Sequence, residues 1–327
     1  MNIETNTLLD TSFKREVYQG LTSYPKALAS KFIYDEKGDQ LFRDIMEMPS
    51  YYLTRSEFNI LSQHTHEIAQ LFQDERTGFD LIELGAGDGK KTKILLKYLV
   101  ENEIDVTYKP IDISQNAIHL LTKDLENYLP HLQVDAEKGE YFEVLDRLKQ
   151  YDTRKKVIIV LGSNIGNLLH PKAIRFLTKL KDAMSQDDLL FMGFDQKKDP
   201  QIVLDAYNDP EGITAAFNKN LLYRINRELD ADFEVDAFKH WETYNPETGT
   251  AQSFLVAQKP MNVQINKLAL SISFEAWETI HTEISQKYDD RVVNWLAQES
   301  GLSVLKSFED EKAYYKNYVF QRTPNTP

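Results

Sequence analysis

The residues of this chain best suited to chemistry form a glycine-rich turn at positions 81–89. The sequence there is Leu-Ile-Glu-Leu-Gly-Ala-Gly-Asp-Gly, with an apolar run from Phe79 to Leu84 leading into it and a lysine-rich, helix-like pattern after it. A buried strand that passes through glycines into a helix N-terminus leaves backbone N–H groups open to a ligand. A dinucleotide fingerprint needs its third glycine three residues after the second, whereas Gly89 comes two after Gly87. The spacing therefore favours a ligand loop of another kind, with a purely structural turn as the alternative.

The Glu-x-Gly-x-Gly-x-Gly pattern of this turn resembles the nucleoside-binding loop of S-adenosylmethionine (SAM)-dependent methyltransferases. We therefore expect SAM as the methyl donor, approached closely by the backbone of Gly85 and Gly87. Asp112 ends the second predicted strand, where its carboxylate is placed to accept hydrogen bonds from both ribose hydroxyls. The alternative for Asp112 is a carboxylate that caps the helix after it.

Three further residues are candidates for holding the cofactor. Lys91 stands at a helix start, where the helix dipole disfavours a cation. It is either a surface lysine or a contact for the cofactor carboxylate. Glu140 and Tyr141 follow the third predicted strand and could hold the adenine by a side-chain contact and by stacking.

A second loop whose residues could bind a ligand follows the most continuous apolar run of the chain, Lys156 to Leu161. Its sequence, Gly-Ser-Asn-Ile-Gly-Asn over residues 162–167, is expected at the carboxyl end of a central strand, where open α/β sheets bind ligands. The amide of Asn167 can both donate and accept hydrogen bonds, which suits an amino-acid substrate. A simple turn would explain the glycines but not two asparagines, so we predict substrate contacts from Gly162 and Asn167.

The elements that must position these residues alternate regularly between strand and helix. Strands are predicted at Phe79–Leu84, Val106–Ile113, Leu132–Val134, Lys156–Leu161, Asp188–Phe194, Leu302–Phe308 and Tyr315–Gln321. Ser114 is predicted to cap a helix that runs to about Leu129. The last two strands are joined by too short a link to be parallel neighbours, so the final strand must be antiparallel. The pattern predicts an α/β fold with a doubly wound, Rossmann-like parallel sheet and one antiparallel edge strand, which is how class I SAM-dependent methyltransferases end.

The regular alternation of strands and helices is interrupted between residues 196 and 285. Two alternating runs, 238–244 and 253–258, flank the turn signal Asn-Pro-Glu-Thr-Gly at 245–249 and predict an antiparallel hairpin or meander. The N-terminal segment before the sheet is rich in aromatic residues. We therefore predict a SAM-binding domain from residues 61–195 and 286–327, and a discontinuous substrate-binding domain from residues 1–60 and 196–285.

Composition narrows the classes of function. The chain has no cysteine, which excludes disulfides, thiolate zinc sites and cysteine nucleophiles. A net charge of -13 argues against binding to the nucleic-acid backbone. No apolar run approaches the ~20 residues of a membrane span, and the polar N-terminus is unlike a secretory signal. Seven histidines show no ligand spacing, so no metal is expected. We predict a cytoplasmic monomer that acts on a small molecule.

Motifs along most of the chain resemble one family closely. They occur in this order: Lys31-Phe-Ile-Tyr-Asp-Glu-Lys-Gly, Tyr51-Tyr-Leu-Thr-Arg-Ser-Glu57, Leu84-Gly-Ala-Gly, Gly162-Ser-Asn-Ile-Gly-Asn167, Asp205-Ala-Tyr-Asn-Asp209, Gly212-Ile-Thr-Ala-Ala-Phe-Asn218, Asn226-Arg-Glu228 and Thr282-Glu-Ile-Ser-Gln-Lys-Tyr288. Together, from about residue 13 to 321, they are similar to the histidine-specific Nα-methyltransferases that make hercynine (Nα,Nα,Nα-trimethylhistidine) on the way to ergothioneine. Several of these motifs lie in the segment that interrupts the sheet pattern, so the resemblance is more specific than the general fold.

The resemblance implies a role for several residues of this chain. Asn167 and Tyr207 match the residues that hold the α-amino and carboxylate groups of the substrate. Glu283 and Ser285 match those that grip the imidazole, with Tyr34 and Tyr51 nearby. The expected catalytic residues are Asn167, Tyr207 and Tyr34. The matching cofactor residues are Gly85, Lys91, Asp112, Glu140 and Tyr141.

The chain departs from the family pattern at three positions. Glu140 stands where an aspartate is expected and Tyr141 where a phenylalanine is expected, and both changes conserve hydrogen bonding and stacking. Ser253 stands where a methionine lining the imidazole pocket is expected, so the pocket is more polar here. Glu283 still favours histidine, because a carboxylate can face an imidazole N–H and is costly to bury without such a partner.

Other functions remain open at this stage. A SAM-dependent N-methyltransferase of another aromatic amino acid or amine would leave Glu283 without an imidazole donor. A SAM-binding protein without catalytic activity would keep the fold and the cofactor but turn over no amine. A nicotinamide dehydrogenase is disfavoured by the glycine spacing.

Overall fold

The computed structural model describes residues 9–74, 77–139, 147 and 154–324, and strands alternate with helices through its middle. The helices are α1 (Ser12–Thr22), α2 (Glu36–Glu47), α3 (Leu53–Gln63), α4 (Thr65–Phe72), α5 (Thr92–Glu101), α6 (Gln115–Tyr128), α7 (His170–Asp182), α8 (Pro200–Tyr207), α9 (Ile213–Leu229) and α10 (Asp290–Glu299). The strands are β1 (Lys26–Ala27), β2 (Phe79–Leu84), β3 (Val106–Asp112), β4 (Gln133–Val134), β5 (Glu137–Lys138), β6 (Lys155–Val160), β7 (Leu189–Asp195), β8 (Phe238–Asn245), β9 (Thr250–Ala257), β10 (Met261–Ile265), β11 (Leu270–Phe274), β12 (Thr279–Gln286), β13 (Leu302–Glu309) and β14 (Tyr315–Arg322).

Contacts within the chain divide it into two compact units. The parallel-sheet unit comprises residues 53–197 and 286–327, and the accessory unit comprises residues 1–52 and 198–285. Helix α3, which the sequence analysis placed largely with the substrate-binding domain, belongs to the parallel-sheet unit. It packs there against β14 and α5.

The main sheet runs in the order β13-β14-β7-β6-β2-β3-β4, with β5 also pairing with β3. Strands β2, β3, β6 and β7 are mutually parallel along this order. Every residue of β2 and β7 is buried, and all of β6 except its first residue. Strands covered on both faces are nearly continuous apolar runs, so the sequence pattern identifies them clearly. The predicted Rossmann-like α/β sheet is confirmed.

The antiparallel strand lies one place further in than predicted. Strand β14 is antiparallel to β7 on one side and to β13 on the other, so β13 forms the edge of the sheet. The physical reason is the short link between Glu309 and Tyr315, which turns the chain straight back. The two strands therefore pair as a hairpin, and the other side of β14 pairs with β7.

The predicted helix start at Ser114 is also present. Its side chain accepts a hydrogen bond from the backbone N–H of Ala117, and α6 ends at Tyr128. Ile118, Leu121 and Leu125 are buried along one face of this helix, as the apolar spacing predicts.

A four-stranded sheet in the order β1-β12-β9-β8 forms the centre of the accessory unit. Strands β8 and β9 pair as the predicted antiparallel hairpin, and the N–H of Gly249 closes the turn onto the carbonyl of Asn245 at 2.7 Å. Helices α8 and α9 pack against these strands, and α2 packs against α9. Within the described ranges, no helix combines the length and the apolar character needed to cross a membrane.

Candidate active site

The glycine turn after β2 is held in left-handed backbone conformations. Gly85, Gly87 and Gly89 have φ of 75°, 55° and 63°. A Cβ on Gly89 would lie 2.5 Å from Cδ1 of Leu121, so this glycine is needed for the close packing of α6. A Cβ on Gly87 would meet no atom within 4 Å, so conformation rather than protein packing demands glycine there. Such a turn exposes backbone to an approaching ligand.

Asp112 stands beside this turn at the carboxyl end of β3. Its Oδ2 accepts a hydrogen bond from the N–H of Gly87 at 3.2 Å, and its Oδ1 accepts one from the N–H of Ser114 at 2.9 Å. Asp112 therefore both orders the glycine turn and fixes the start of α6, while Ser114 is the helix cap. A carboxylate oxygen can accept more than one bond, so these contacts leave acceptor capacity for a ligand diol.

Glu140 and Tyr141 lie outside the described residues. The chain leading to them is ordered by β3, because Lys138 pairs with Asp112 and the N–H of Gly139 donates to the carbonyl of Asp112 at 3.1 Å. Their proposed contact with adenine remains a prediction.

Lys91 directly precedes α5, and its ammonium forms an ion pair with the carboxylate of Glu57 on α3. The side chain of Glu57 is fully buried, whereas that of Lys91 is 21% exposed. Lys91 is thus neither a plain surface lysine nor a free cation. Sequence analysis assigned no role to Glu57, yet a signal was present: it falls on the buried stripe of α3 with Leu53, Ile60 and Leu61.

A second buried carboxylate lies beneath the glycine turn. Glu83 accepts hydrogen bonds from the hydroxyls of Thr92, at 2.6 Å, and Tyr108. Burial raises the pKa of Glu83 to about 7, although these two donors oppose the shift. Glu83 therefore titrates near neutral pH, two residues before the first glycine of the turn.

The loop after β6 is fixed from several sides. Gly162 and Ser163 both adopt left-handed backbone conformations. Such a conformation is uncommon for a residue other than glycine, such as Ser163, and is found mainly at strained or functional positions. Ser163 Oγ accepts a hydrogen bond from the N–H of Asp195 at 3.0 Å. The hydroxyl of Tyr288 donates to the carbonyl of Ile165 at 3.1 Å. Asn167 ends the short 3-10 turn that follows and is exposed.

In the accessory unit, Tyr207 and Ser285 are in direct contact. Tyr207 is the last residue of α8, and its hydroxyl lies 2.8 Å from the hydroxyl of Ser285 on β12. Glu283 and Ser285 are two residues apart on this strand and so share one face. The structure thus brings three predicted substrate residues to one side of β12.

Aromatic rings surround this polar group. Tyr51 lies edge-on to Tyr207, with 6.1 Å between ring centroids, and Phe42 lies 6.4 Å from Tyr51. Tyr34 packs edge-on against both Phe42 and Phe217, at 5.6 and 5.4 Å. These five rings, which we call the aromatic cluster, belong to α2, α8, α9 and the loops before α2 and α3. Phe42 and Phe217 carried no assignment in the sequence analysis.

Tyr34 connects the aromatic cluster with Glu283. Burial, and then the negative charge of Glu283 and the neighbouring phenol of Tyr51, raise the pKa of the Tyr34 phenol well above its ordinary value. Although 38% of its surface is exposed, Tyr34 therefore stays protonated at neutral pH. It can offer a ring face and a hydroxyl donor, but it cannot act as a base.

Ser253 lies on β9 with a buried acidic partner. Its hydroxyl donates to Glu242 at 2.6 Å, and its carbonyl accepts from Thr282 at 3.1 Å, next to Glu283 in sequence. The structure therefore gives Ser253 a specific hydrogen-bonding role in the sheet.

The predicted site residues fall into two groups. Gly85, Gly87, Lys91, Asp112, Gly162 and Asn167 lie at the carboxyl ends of the parallel strands, where open α/β sheets bind their ligands. Tyr34, Tyr51, Tyr207, Glu283 and Ser285 lie together in the accessory unit. Among the residues that the structure describes, no group of three or more His, Cys, Asp or Glu side chains could hold a metal ion.

Comparison with known proteins identifies the family. A family model described as "Histidine-specific methyltransferase, SAM-dependent" matches residues 13–322. The chain is 34% identical over 300 residues to Histidine N-alpha-methyltransferase of Mycobacterium tuberculosis, with 92% of each chain covered. It is 36% identical over 293 residues to the protein of the same name from Mycolicibacterium smegmatis, with 89% of each covered. It is 28% identical over 302 residues to Ergothioneine biosynthesis protein 1 of Schizosaccharomyces pombe, covering 90% of this chain and 39% of that protein. The chain belongs to the family of histidine-specific, SAM-dependent methyltransferases.

Proposed function

We propose that this protein transfers methyl groups from SAM to the α-amino nitrogen of L-histidine, in three rounds that give hercynine. The observation that carries the proposal is the family match, which spans residues 13–322 and so includes the accessory unit as well as the parallel sheet. The name of two fungal relatives, Ergothioneine biosynthesis protein 1, also suggests a place in ergothioneine biosynthesis.

The residues at the glycine turn fit SAM. The open space beside Gly87 leaves room for a ligand against the backbone, and Asp112 has acceptor capacity for a ribose diol. Lys91 supplies a cation for the cofactor carboxylate. Bound there, SAM supplies an electrophilic methyl group on a sulfonium that is already a strong leaving group.

The residues of the accessory unit fit an imidazole. Glu283 can accept a hydrogen bond from a ring N–H, and the Ser285 hydroxyl can donate or accept. The Tyr207–Ser285 contact orients both hydroxyls before any substrate arrives. We infer that Tyr207, with Asn167, holds the amino and carboxylate groups, and that Gly162 and Ser253 contribute to the substrate site.

The chain's main task in this reaction is to hold a neutral amine in line with the methyl group. A free α-amine has a pKa of ~8, so about a tenth of it is neutral at pH 7 and a strong base is unnecessary. We propose Asn167 and Tyr207 as the residues that do this positioning. The amine must lose a proton in each round, and the last round leaves a fixed quaternary cation. The aromatic cluster, with a neutral Tyr34, can stabilise that cation through ring faces.

We further propose that the enzyme needs no metal, acts as a monomer in the cytoplasm and binds neither nucleic acid nor membranes. The absence of cysteine excludes thiolate metal sites and fits the cytoplasm, and the net charge of -13 argues against binding nucleic acid.

A product screen tests the proposed function. The pure protein is incubated with SAM and each of the twenty amino acids in turn, and products are identified by mass. The proposal predicts that L-histidine alone gains three methyl groups. Methylation of tryptophan or another aromatic amine in place of histidine would overturn the substrate, and SAM binding without any product would overturn the activity.

A further inference from the structure

Glu57 is a buried carboxylate of the parallel-sheet unit that accepts four hydrogen bonds. Its exposed fraction is 0%, and it lies on the inward face of α3. Oε1 accepts hydrogen bonds from Asn317 Nδ2 at 2.9 Å and from the Tyr315 hydroxyl at 3.1 Å, both on β14. The first oxygen is thus anchored to the sheet.

The second carboxylate oxygen faces the candidate site. Oε2 of Glu57 accepts from the ammonium of Lys91 and, at 2.8 Å, from the backbone N–H of Gly162. One oxygen therefore ties the start of α5 to the loop after the central strand. A Cβ on Gly162 would lie 3.6 Å from Lys91 Nζ, which measures how close these two segments are.

The sheet leaves space for this arrangement. A Cβ on Gly193 in β7 would lie 2.3 Å from Glu57 Oε1 and 2.2 Å from the Tyr315 hydroxyl. A glycine in a fully buried strand interior weakens the strand, so its presence here is explained by the carboxylate that occupies the space.

We propose that Glu57 is a positioning residue that holds the Lys91 ammonium beside Gly162, ready to bind the carboxylate in the methionine part of SAM. This inference rests on the proposed function, because it assigns a carboxylate ligand to Lys91. Glu57 itself acts through Lys91 and does not contact the reacting atoms.

The physical basis is preorganisation. An ammonium has three donors, so Lys91 can keep its bond to Glu57 and still donate to a second carboxylate. Lysine has a flexible stem, and immobilising such a side chain on binding costs affinity. Because Glu57 already immobilises the Lys91 side chain in the folded protein, ligand binding does not have to do so.

Two ligands that differ only in the amino-acid tail test the proposal. S-Adenosylhomocysteine carries the tail with its carboxylate, whereas 5′-methylthioadenosine has the same nucleoside without it. Their dissociation constants are measured by calorimetry for the wild type and for Glu57→Gln. The amide oxygen at residue 57 of this variant can still accept the hydrogen bonds from β14. The amide NH2 group that replaces the second carboxylate oxygen cannot accept hydrogen bonds from Lys91 and Gly162. We expect binding of S-adenosylhomocysteine to weaken about threefold to tenfold, the cost of immobilising one long side chain, with methylthioadenosine unchanged.

A double-mutant cycle isolates the pathway through Lys91. Lys91→Met should weaken S-adenosylhomocysteine binding selectively, and adding Glu57→Gln to it should cause no further loss. Glu57→Asp keeps the buried charge but withdraws the carboxylate, and it should show the same ligand selectivity if Glu57→Gln fails to fold. Asp188→Asn is the matched control: it breaks a buried ion pair with Lys156 at the opposite end of the sheet and should leave both affinities unchanged.

Three results would overturn the proposal: equal weakening of both ligands, unchanged binding of both, or tighter binding of S-adenosylhomocysteine by Glu57→Gln. The first would mean a general structural role, and the last would mean that Glu57 competes with the ligand for Lys91. The cycle does not depend on the amino acid methylated. If the wild type binds S-adenosylhomocysteine but does not methylate histidine, the proposed function fails while this inference is still tested.

Discussion

The hydroxyl of Ser253 donates a 2.6 Å hydrogen bond to Oε2 of Glu242, which stands directly opposite it in the β8–β9 ladder. Both residues are buried, with 2% and 8% of their surface exposed. The family resemblance leads one to expect a methionine at this position, and a thioether could not donate to the carboxylate. The change to serine is therefore coupled to the acid on the neighbouring strand, and the two residues should be treated as a pair.

Ser253→Ala should destabilise the protein, because it leaves a buried carboxylate oxygen without this donor. We expect the free energy of unfolding to fall by about 1–3 kcal/mol, measured by urea denaturation. Ser273→Ala is the control: Ser273 also donates from a strand, to Asn262 at 2.7 Å, but it is exposed. Its substitution should change stability by less than about 0.5 kcal/mol. Equal effects of the two substitutions would contradict the role given to the buried pair.

The raised pKa of Glu83 predicts a specific dependence of the free energy of unfolding on pH. Burial raises its pKa from 4.5 to about 7 in the folded protein, so folding favours the protonated form. The unfolded chain loses this proton near pH 4.5 and the folded chain near pH 7. The contribution of Glu83 to stability is therefore largest below pH 4.5 and is lost as pH rises to about 7, with a slope of up to about 1.4 kcal/mol per pH unit.

The comparison with Glu83→Gln isolates this contribution, since other titrating groups are common to both proteins. The difference in unfolding free energy between variant and wild type should shift in favour of the variant from pH 5 to pH 8. A difference that is flat over this range, or that shifts the other way, would mean that Glu83 is ionised at pH 5 in the folded state.

Asp112→Ala should weaken SAM binding. Loss of hydrogen bonds to a charged acceptor costs about 1.5–3 kcal/mol, which corresponds to an affinity about ten to a hundred times lower. Asp124→Ala on α6 removes an equal charge from an exposed carboxylate paired with Lys93 and should leave SAM affinity unchanged. Calorimetric titration with SAM measures both. If Asp112→Ala binds SAM with wild-type affinity, Asp112 does not bind the cofactor, and its role is limited to its contacts with Gly87 and Ser114.

Local signals account for the parts of the fold that sequence predicted well. The buried strands β2, β6 and β7 are predominantly apolar, and Ser114 and the turn from Asn245 to Gly249 carry their own capping and turn chemistry. None of these depends on distant residues. Periodicity and turn residues were therefore enough to predict them.

The features that sequence did not predict depend on contacts between distant segments. Glu57 is identifiable as a charge on an apolar helix face, but its partners Tyr315 and Asn317 lie far along the chain. The place of β14 inside the sheet likewise depends on which strand edge accepts it. Ser253 and Glu242 become a pair only once the hairpin register is known. Contacts between residues that are far apart in the chain leave no local pattern in the sequence.

We propose that Glu283 recognises the imidazole of L-histidine while the α-amino nitrogen is methylated. The direct measurement is kcat/KM for L-histidine with the wild type and Glu283→Ala, with the methylated atom identified by NMR of the product. We expect three methyl groups on Nα and a fall in kcat/KM of about ten- to a hundredfold in the variant, because it loses one charge-assisted hydrogen bond. Methylation of a ring nitrogen, or a variant as active on histidine as the wild type, would contradict it.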